Sequence, residues 1–279
     1  MSREQNRREF FKTAGVAAAA ASLAPSGWAE AKRGRAEMRL GLASYTFRRF
    51  GVGETIAITK RLGLSNLCLK SMHMPLDASA EEIRVRAAKV RAAGIDLYTA
   101  GVIYMTNASE VQQAFTYAQT AGLKMIVGVP EYSLVELCNQ KIKETGIMLA
   151  IHNHGPGDQR YPSPGDVYSR IRSLDPRMGL CLDIGHTMRN NEDPSQAAKK
   201  YFDRLLDVHI KDVSAASKEG TTVEIGRGVI DIPRFLKTLL KLGYKGVLAL
   251  EYEKDEEDPE PGSAESVGYI RGVLATLQS

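Results

Sequence analysis

Cysteine is scarce. Three residues in 279, Cys68, Cys138 and Cys181, stand far apart with no C-x-x-C or C-x-x-C-H pair. An odd, scattered count does not suggest a disulfide framework. Each sits beside leucine, so buried core thiols are the expectation and a thiolate nucleophile the alternative. Apolar runs are short as well: none reaches the 18 residues that would suggest a stable membrane anchor. No glycine-rich phosphate turn follows the first apolar strand, Leu40–Phe47, and Gly226-Arg227-Gly228 lacks the G-x-G-x-x-G spacing. The charge surplus is also local. Residues 1–36 hold seven Lys/Arg against three Asp/Glu, which leaves 30 of each sign in the rest of the chain. A neutral body speaks against a nucleic-acid-binding surface.

What remains is an ordinary globular composition, 43% hydrophobic and 25% charged, in a length that suits one large domain or two small ones. The first residues read as an address. Arg7-Arg8-Glu9-Phe10-Phe11-Lys12 is a twin-arginine pattern, Thr13–Ala24 a mildly apolar run, and Ala29-Glu30-Ala31 a small-x-small cleavage pattern. Residues 1–31 are therefore expected to be an export signal and the mature protein to be periplasmic or otherwise exported. An Ala-rich amphipathic helix on a cytoplasmic protein is the alternative.

From residue 38 onward, short apolar runs alternate with segments of helical period. Strands are expected to begin near Arg39, Asn66, Ile95, Lys124, Ile147, Gly179, Leu205 and Val247. Helix punctuation separates them: a capping box at Ser79-x-x-Glu82, a cap at Asn107, and Ser163-Pro164, Asp193-Pro194 and Asp231 as further starts. Eight such units predict an α/β fold of the (β/α)8 barrel type over residues 38–279, as a single domain. A doubly wound open sheet is the alternative, but it would want the missing phosphate turn. The run Asp255–Pro261 reads as a solvated acidic loop.

In a barrel, chemistry gathers at the C-terminal ends of the strands. Four consecutive strands end in metal-type ligands: His152-Asn153-His154, Asp183-Ile184-Gly185-His186, His209-Ile210-Lys211-Asp212 and Glu251-Tyr252-Glu253. Four of the five histidines lie there, and the fifth, His73, follows strand two. Alternation puts His152 with His154, His209 with Lys211 and Glu251 with Glu253 on shared faces, so one group per strand can converge near the axis. Singly, each has an ordinary explanation as a hydrogen-bonded structural residue or a helix cap. Imidazole and carboxylate together suit one divalent ion, Mn, Mg, Co, Fe or Zn.

These motifs in this order resemble the xylose-isomerase-like TIM barrels, a family of sugar-phosphate isomerases and epimerases, ketose 3-epimerases, keto-inositol dehydratases and endonuclease IV. The resemblance covers residues 38–279. It implies a divalent metal held by Asp183, His209 and Glu251, with His152 standing where strand five of the family commonly ends in Glu-Asn-His. That exchange removes one of the two carboxylates that trade protons with substrate in the ketose epimerases. Glu131, just past strand four, is expected either to supply a replacement or to cap the next helix.

The reading that follows is a metal-dependent enzyme on a small-molecule sugar or keto-sugar, isomerase/epimerase or lyase/hydratase, working through a metal-stabilised enediolate. His154, Glu251, Glu253, His186 and Lys211 are the expected acid–base residues. Against this, His186 has a supporting role toward a ligand as its alternative, Lys211 a salt bridge to Asp212, and Glu253 a loop charge. Arg227 is expected to grip a substrate oxygen, and His73 and Tyr45 to wall the pocket, core packing being the alternative for the wall. The substitution at His152 favours lyase, hydratase or isomerase chemistry over 3-epimerisation. A non-catalytic carbohydrate-binding barrel and an abasic-site endonuclease are the competing readings. The neutral body and the paucity of histidine disfavour the nuclease.

Overall fold

Short apolar segments and explicit caps set the alternation. The computed structural model describes residues 38–279, which form one compact unit, while the expected signal with Arg7-Arg8 and Ala29-Glu30-Ala31 lies outside the described residues. The first half runs β1 Arg39–Ala43, α1 Val52–Arg61, β2 Asn66–Leu69, α2 Ala80–Ala92, β3 Asp96–Met105, α3 Ala108–Thr120, β4 Met125–Pro130 and α4 Val135–Thr145. The second half begins β5 Met148–His152, α5 Pro164–Ile171, β6 Met178–Asp183, α6 Ile184–Arg189, α7 Pro194–Lys200 and β7 Leu205–Ile210. It ends with β8 Asp212–Val213, β9 Thr222–Val223, α8 Ile232–Leu242, β10 Val247–Leu250 and α9 Glu260–Gln278. Eight parallel strands close in the order β1-β10-β7-β6-β5-β4-β3-β2, the expected (β/α)8 barrel.

The caps act as the sequence predicts. Ser79 accepts the Glu82 N–H while Glu82 accepts the Ser79 N–H, and Ser163 forms the same box with Asp166. Asn107, Asp193 and Asp231 each accept a first-turn N–H. Strands buried on both faces, such as Met125–Pro130, are apolar throughout because helices cover the outside and side chains fill the inside. The long interval before β10 holds the antiparallel hairpin β8–β9 as well as α8. The acidic run is less free than expected: Arg48 and Arg49 pair with Glu256, and Glu260 already belongs to α9 and pairs with Arg61.

Three features position the site. Inward side chains alternate along β7 and beyond it as Asp207, His209 and Lys211, all buried. Tyr98 crosses the lower barrel from β3 to reach Asp207 on β7, the strand diametrically opposite, with Ala43, Val247 and Ala249 packed together beside it. Below Tyr98, at the N-terminal ends of the strands, lies a cavity of about 530 Å³ bordered by Arg39, Asp96, Lys124 and Lys245. No described helix is long and apolar enough to cross a membrane.

Candidate metal and active site

Strands β5, β6, β7 and β10 are neighbours, and register places Asp183 beside His209 and His209 beside Ala249, two residues before Glu251. One nitrogen or oxygen from each of His152, Asp183, His209 and Glu251 lies within 4.8 Å of the other three, and all four residues are buried. His152 Nε2 is 3.2 Å from His209 Nδ1 and 3.4 Å from Asp183 Oδ2. His209 Nδ1 is 3.3 Å from Glu251 Oε2. The four expected ligands are brought together.

Asp183 is both a cap and a cluster member. Its Oδ1 accepts the His186 N–H at 2.7 Å and starts α6, while Oδ2 faces the cluster and accepts no hydrogen bond. Asn153 holds that carboxylate in place through the backbone. Its Oδ1 accepts the Asp183 N–H at 3.0 Å and its Nδ2 donates to the Asp183 carbonyl at 3.2 Å. This pairing ties the end of β5 to the end of β6 where the backbone ladder stops.

Lys211 does not pair with Asp212. The Asp212 carboxylate instead accepts the N–H groups of Gly226, Gly228 and Ile230, which shapes the loop after β9. Lys211 Nζ lies 2.8 Å from Glu251 Oε2 and 3.0 Å from Asp183 Oδ2, and it also pairs with Glu253. Gly185 makes room for this, because a Cβ there would run into the lysine Cγ. Burial alone would depress the lysine pKa, but Asp183, Glu251 and Glu253 together hold it well above the usual ammonium value. Burial alone would raise Glu251; Lys211 and His209 hold it well below the usual carboxylate range. Lys211 thus keeps its proton and Glu251 stays ionised.

A divalent cation suits this donor set. The buried Asp183 and Glu251 and the partly exposed Glu253 face one ammonium, which leaves a negative surplus once His209 is neutral as ligation requires. Such a surplus is costly unless a cation compensates it. Asp183 Oδ2, which has the Lys211 ammonium 3.0 Å away but accepts no hydrogen bond, is an acceptor such an ion would use.

Around the cluster lies a ring of polar and aromatic groups. His154, half-buried, has its ring 4.5 Å from that of His152 and its Nε2 3.0 Å from Tyr104 Oη. Burial, reinforced by His152, pushes the His154 pKa down to about 3, and burial pushes His152 down to about 4. The His186 ring lies 5.8 Å from that of His154, tilted by 41°, and its pKa is likewise lowered by burial. Lys70, at the end of β2, donates to the Val102 carbonyl at 2.9 Å and lies 5.7 Å and 5.8 Å from the Tyr45 and Tyr104 rings. Tyr45 thus neighbours Lys70.

Three expectations change. His73 is a buried structural residue, its Nδ1 bonded to Ser44 Oγ at 2.9 Å and its Nε2 within 3.1 Å of the Phe47 and Phe50 carbonyls. Arg227 makes a two-pronged ion pair with Glu265 on α9, its side chain 61% exposed, and grips nothing in the cluster. Glu131 stands at the N-cap of the short 3-10 turn Tyr132–Leu134 without a capping side-chain hydrogen bond, and it does not enter the cluster. It pairs with Arg160 at 2.8 Å, and that guanidinium covers the Tyr104 ring. The sequence reading passes over Lys70, Tyr104 and Asp207. For Lys70 the signal was its place at a strand end. For Asp207 it was the spacing of two from His209, which sets both on one face.

A parallel barrel with buried imidazoles and carboxylates at the C-terminal ends of four adjacent strands defines a class of small-molecule enzymes and binding proteins. The family model for xylose isomerase-like TIM barrels matches residues 107–273, and the chain belongs to that family. It is 28% identical over 146 residues to the rhizopine catabolism protein MocC of Rhizobium meliloti, covering 47% of this chain and 44% of the relative. It is 32% identical over 149 residues to an inosose dehydratase of Klebsiella pneumoniae, covering 46% and 49%. The chain thus matches about half the length of these curated relatives. The structure of 3-keto-D-glucoside 4-epimerase from E. coli superposes with a TM-score of 0.69 at 17% identity, over 85% of this chain and 100% of that one, a likeness of fold.

Proposed function

We propose that the chain is a divalent-metal-dependent enzyme that removes a proton beside the carbonyl of a sugar or keto-sugar and completes a dehydration, hydration or isomerisation. The convergence of His152, Asp183, His209 and Glu251 within 4.8 Å carries this reading. Residence outside the cytoplasm, read from Arg7-Arg8 and Ala29-Glu30-Ala31, belongs to the same proposal and favours substrates without phosphate. The inosose dehydratase among the relatives supports the dehydration arm.

His152, Asp183, His209 and Glu251 would hold the ion, which when bound polarises a carbonyl and an adjacent hydroxyl. Lys211, locked as an ammonium, offsets negative charge as it develops but keeps its own proton, so the proton-transfer role expected of it passes to its neighbours. His154 is the candidate for that work by its position, while burial makes its ring a weak base. It is neutral, beside the cluster and tied at Nε2 to Tyr104, and its Nδ1 has no hydrogen-bond partner. With His152 in place of a second carboxylate, Glu251 and His154 form an unlike pair, which suits one-directional elimination or isomerisation better than symmetrical epimerisation.

Metal analysis of the purified chain, followed by deuterium exchange from solvent into ketoses, keto-inositols and 3-keto-glycosides, tests the proposal. Stoichiometric metal with exchange into at least one keto-sugar is the expected result. Metal without exchange into any of them would leave a binding barrel and overturn the enzymatic reading.

A further inference from the structure

We propose that Asp207 is a positioning residue, whose carboxylate, anchored by Tyr98, turns the His209 ring so that its Nδ1 lone pair faces Asp183 and Glu251. The inference rests on the metal-binding reading above and deepens it.

His209 stands between two carboxylates. Glu251 Oε2 is 3.3 Å from Nδ1, on the cluster side. Asp207 Oδ2 is 3.9 Å from Nε2, on the side away from it. If the single proton of a neutral His209 sat on Nδ1, it would point at Glu251 and no lone pair would be left for a cation. If it sits on Nε2, Nδ1 is free to ligate. Nε2 is buried and has no hydrogen-bond partner, and Asp207 is the anion within reach of it.

Asp207 is itself held for this purpose. Tyr98 Oη donates to both of its oxygens, at 3.2 Å and 3.1 Å, and Cys181 Sγ approaches Oδ2 at 3.7 Å. Among the described residues no lysine or arginine pairs with the carboxylate. A fully buried carboxylate with only neutral donors is an expensive way to fill a barrel, where Leu or Asn would fit at lower cost. Its location two residues below a ligand, on the same face of the same strand, gives that cost a use. Partners that orient a ligating imidazole through its second nitrogen typically change metal affinity about 10- to 100-fold.

The test is Co(II) titration of the full chain, read by its visible absorption and by equilibrium dialysis, alongside thermal melting of the metal-free protein. Asp207→Asn keeps an acceptor for Tyr98 but removes the charge that holds the Nε2 proton. The expected result is Co(II) affinity about 10- to 100-fold weaker with an altered spectrum. The melting temperature should be unchanged or higher, since a buried charge has gone. Tyr98→Phe should weaken affinity by a smaller factor, and Cys181→Ala should leave it within about twofold. A merely structural role would lower the melting temperature and leave affinity and spectrum alone, and that outcome overturns the proposal. So does native Co(II) affinity in both Asp207→Asn and Asp207→Leu. If the native chain itself takes up no divalent ion, the metal reading fails and this inference falls with it.

Discussion

The two halves of the barrel mouth differ in kind. Strands β5, β6, β7 and β10 end in buried imidazoles and carboxylates that meet within 4.8 Å. The ends of β2 and β3 and the segments after β1 and β4 offer Lys70, Tyr104, Tyr45 and Glu131, groups that pair with rings, a backbone carbonyl or Arg160. One half concentrates charge; the other forms a wall. The difference teaches that a ring of eight equivalent strands becomes a directional site when the ionisable groups are confined to adjacent strands.

Removing a ligand should break the contrast most completely. His209→Ala is expected to weaken divalent-metal affinity by more than about 100-fold, exceeding what loss of an orienting partner costs, and to abolish turnover while the fold survives. Dialysis against Mn(II) with circular dichroism checks both parts; full metal occupancy would refute the assignment. Next in size, His154→Ala should retain the metal and lose about 100-fold in kcat, the usual range for a general acid or base. Equal loss of metal would move His154 into the ligand set.

The wall half should answer differently. Lys70→Met keeps the apolar stem and removes the ammonium, so a KM raised about tenfold with unchanged metal content is expected, the scale of one charged hydrogen bond. A fall in metal occupancy would erase the distinction between the halves. Acid should also separate them. His152 and His154 have pKa values pushed below the ordinary imidazole value, to about 4 and about 3, so the folded chain binds fewer protons than the unfolded chain in acid. Their stability contribution is present above about pH 6.5 and is lost as pH falls from there toward those values. Melting temperature of the metal-free protein should fall over that window, and His154→Leu should flatten the fall. Smallest of all, Arg227→Ala should leave kcat, KM and melting temperature nearly unchanged, because its ion pair is exposed. A tenfold change in KM would return Arg227 to the substrate.

The barrel was legible because its signals are local. The capping box at Ser79 and Glu82 and the apolar run Met125–Pro130 depend on near neighbours and on which faces are covered. The four clustered residues were legible because strand period and strand order together place side chains. Partners were not. Lys211 turns to Glu251 rather than to the adjacent Asp212 because Asp212 is taken by the N–H groups of Gly226, Gly228 and Ile230, a fact about a loop path. Arg227 meets Glu265 because α9 returns alongside that loop, and His73 is enclosed by the turn after β1. Sequence spacing fixes the face a residue occupies; chain return fixes whom it meets there.

Tyr98 has a consequence for traffic. The ring stands between the cavity at the N-terminal ends of the strands and the buried Asp207, so one phenol divides the interior into two compartments. Water that touches the lower side of that ring stops there, since Asp207, Cys181 and His209 above it are almost wholly enclosed.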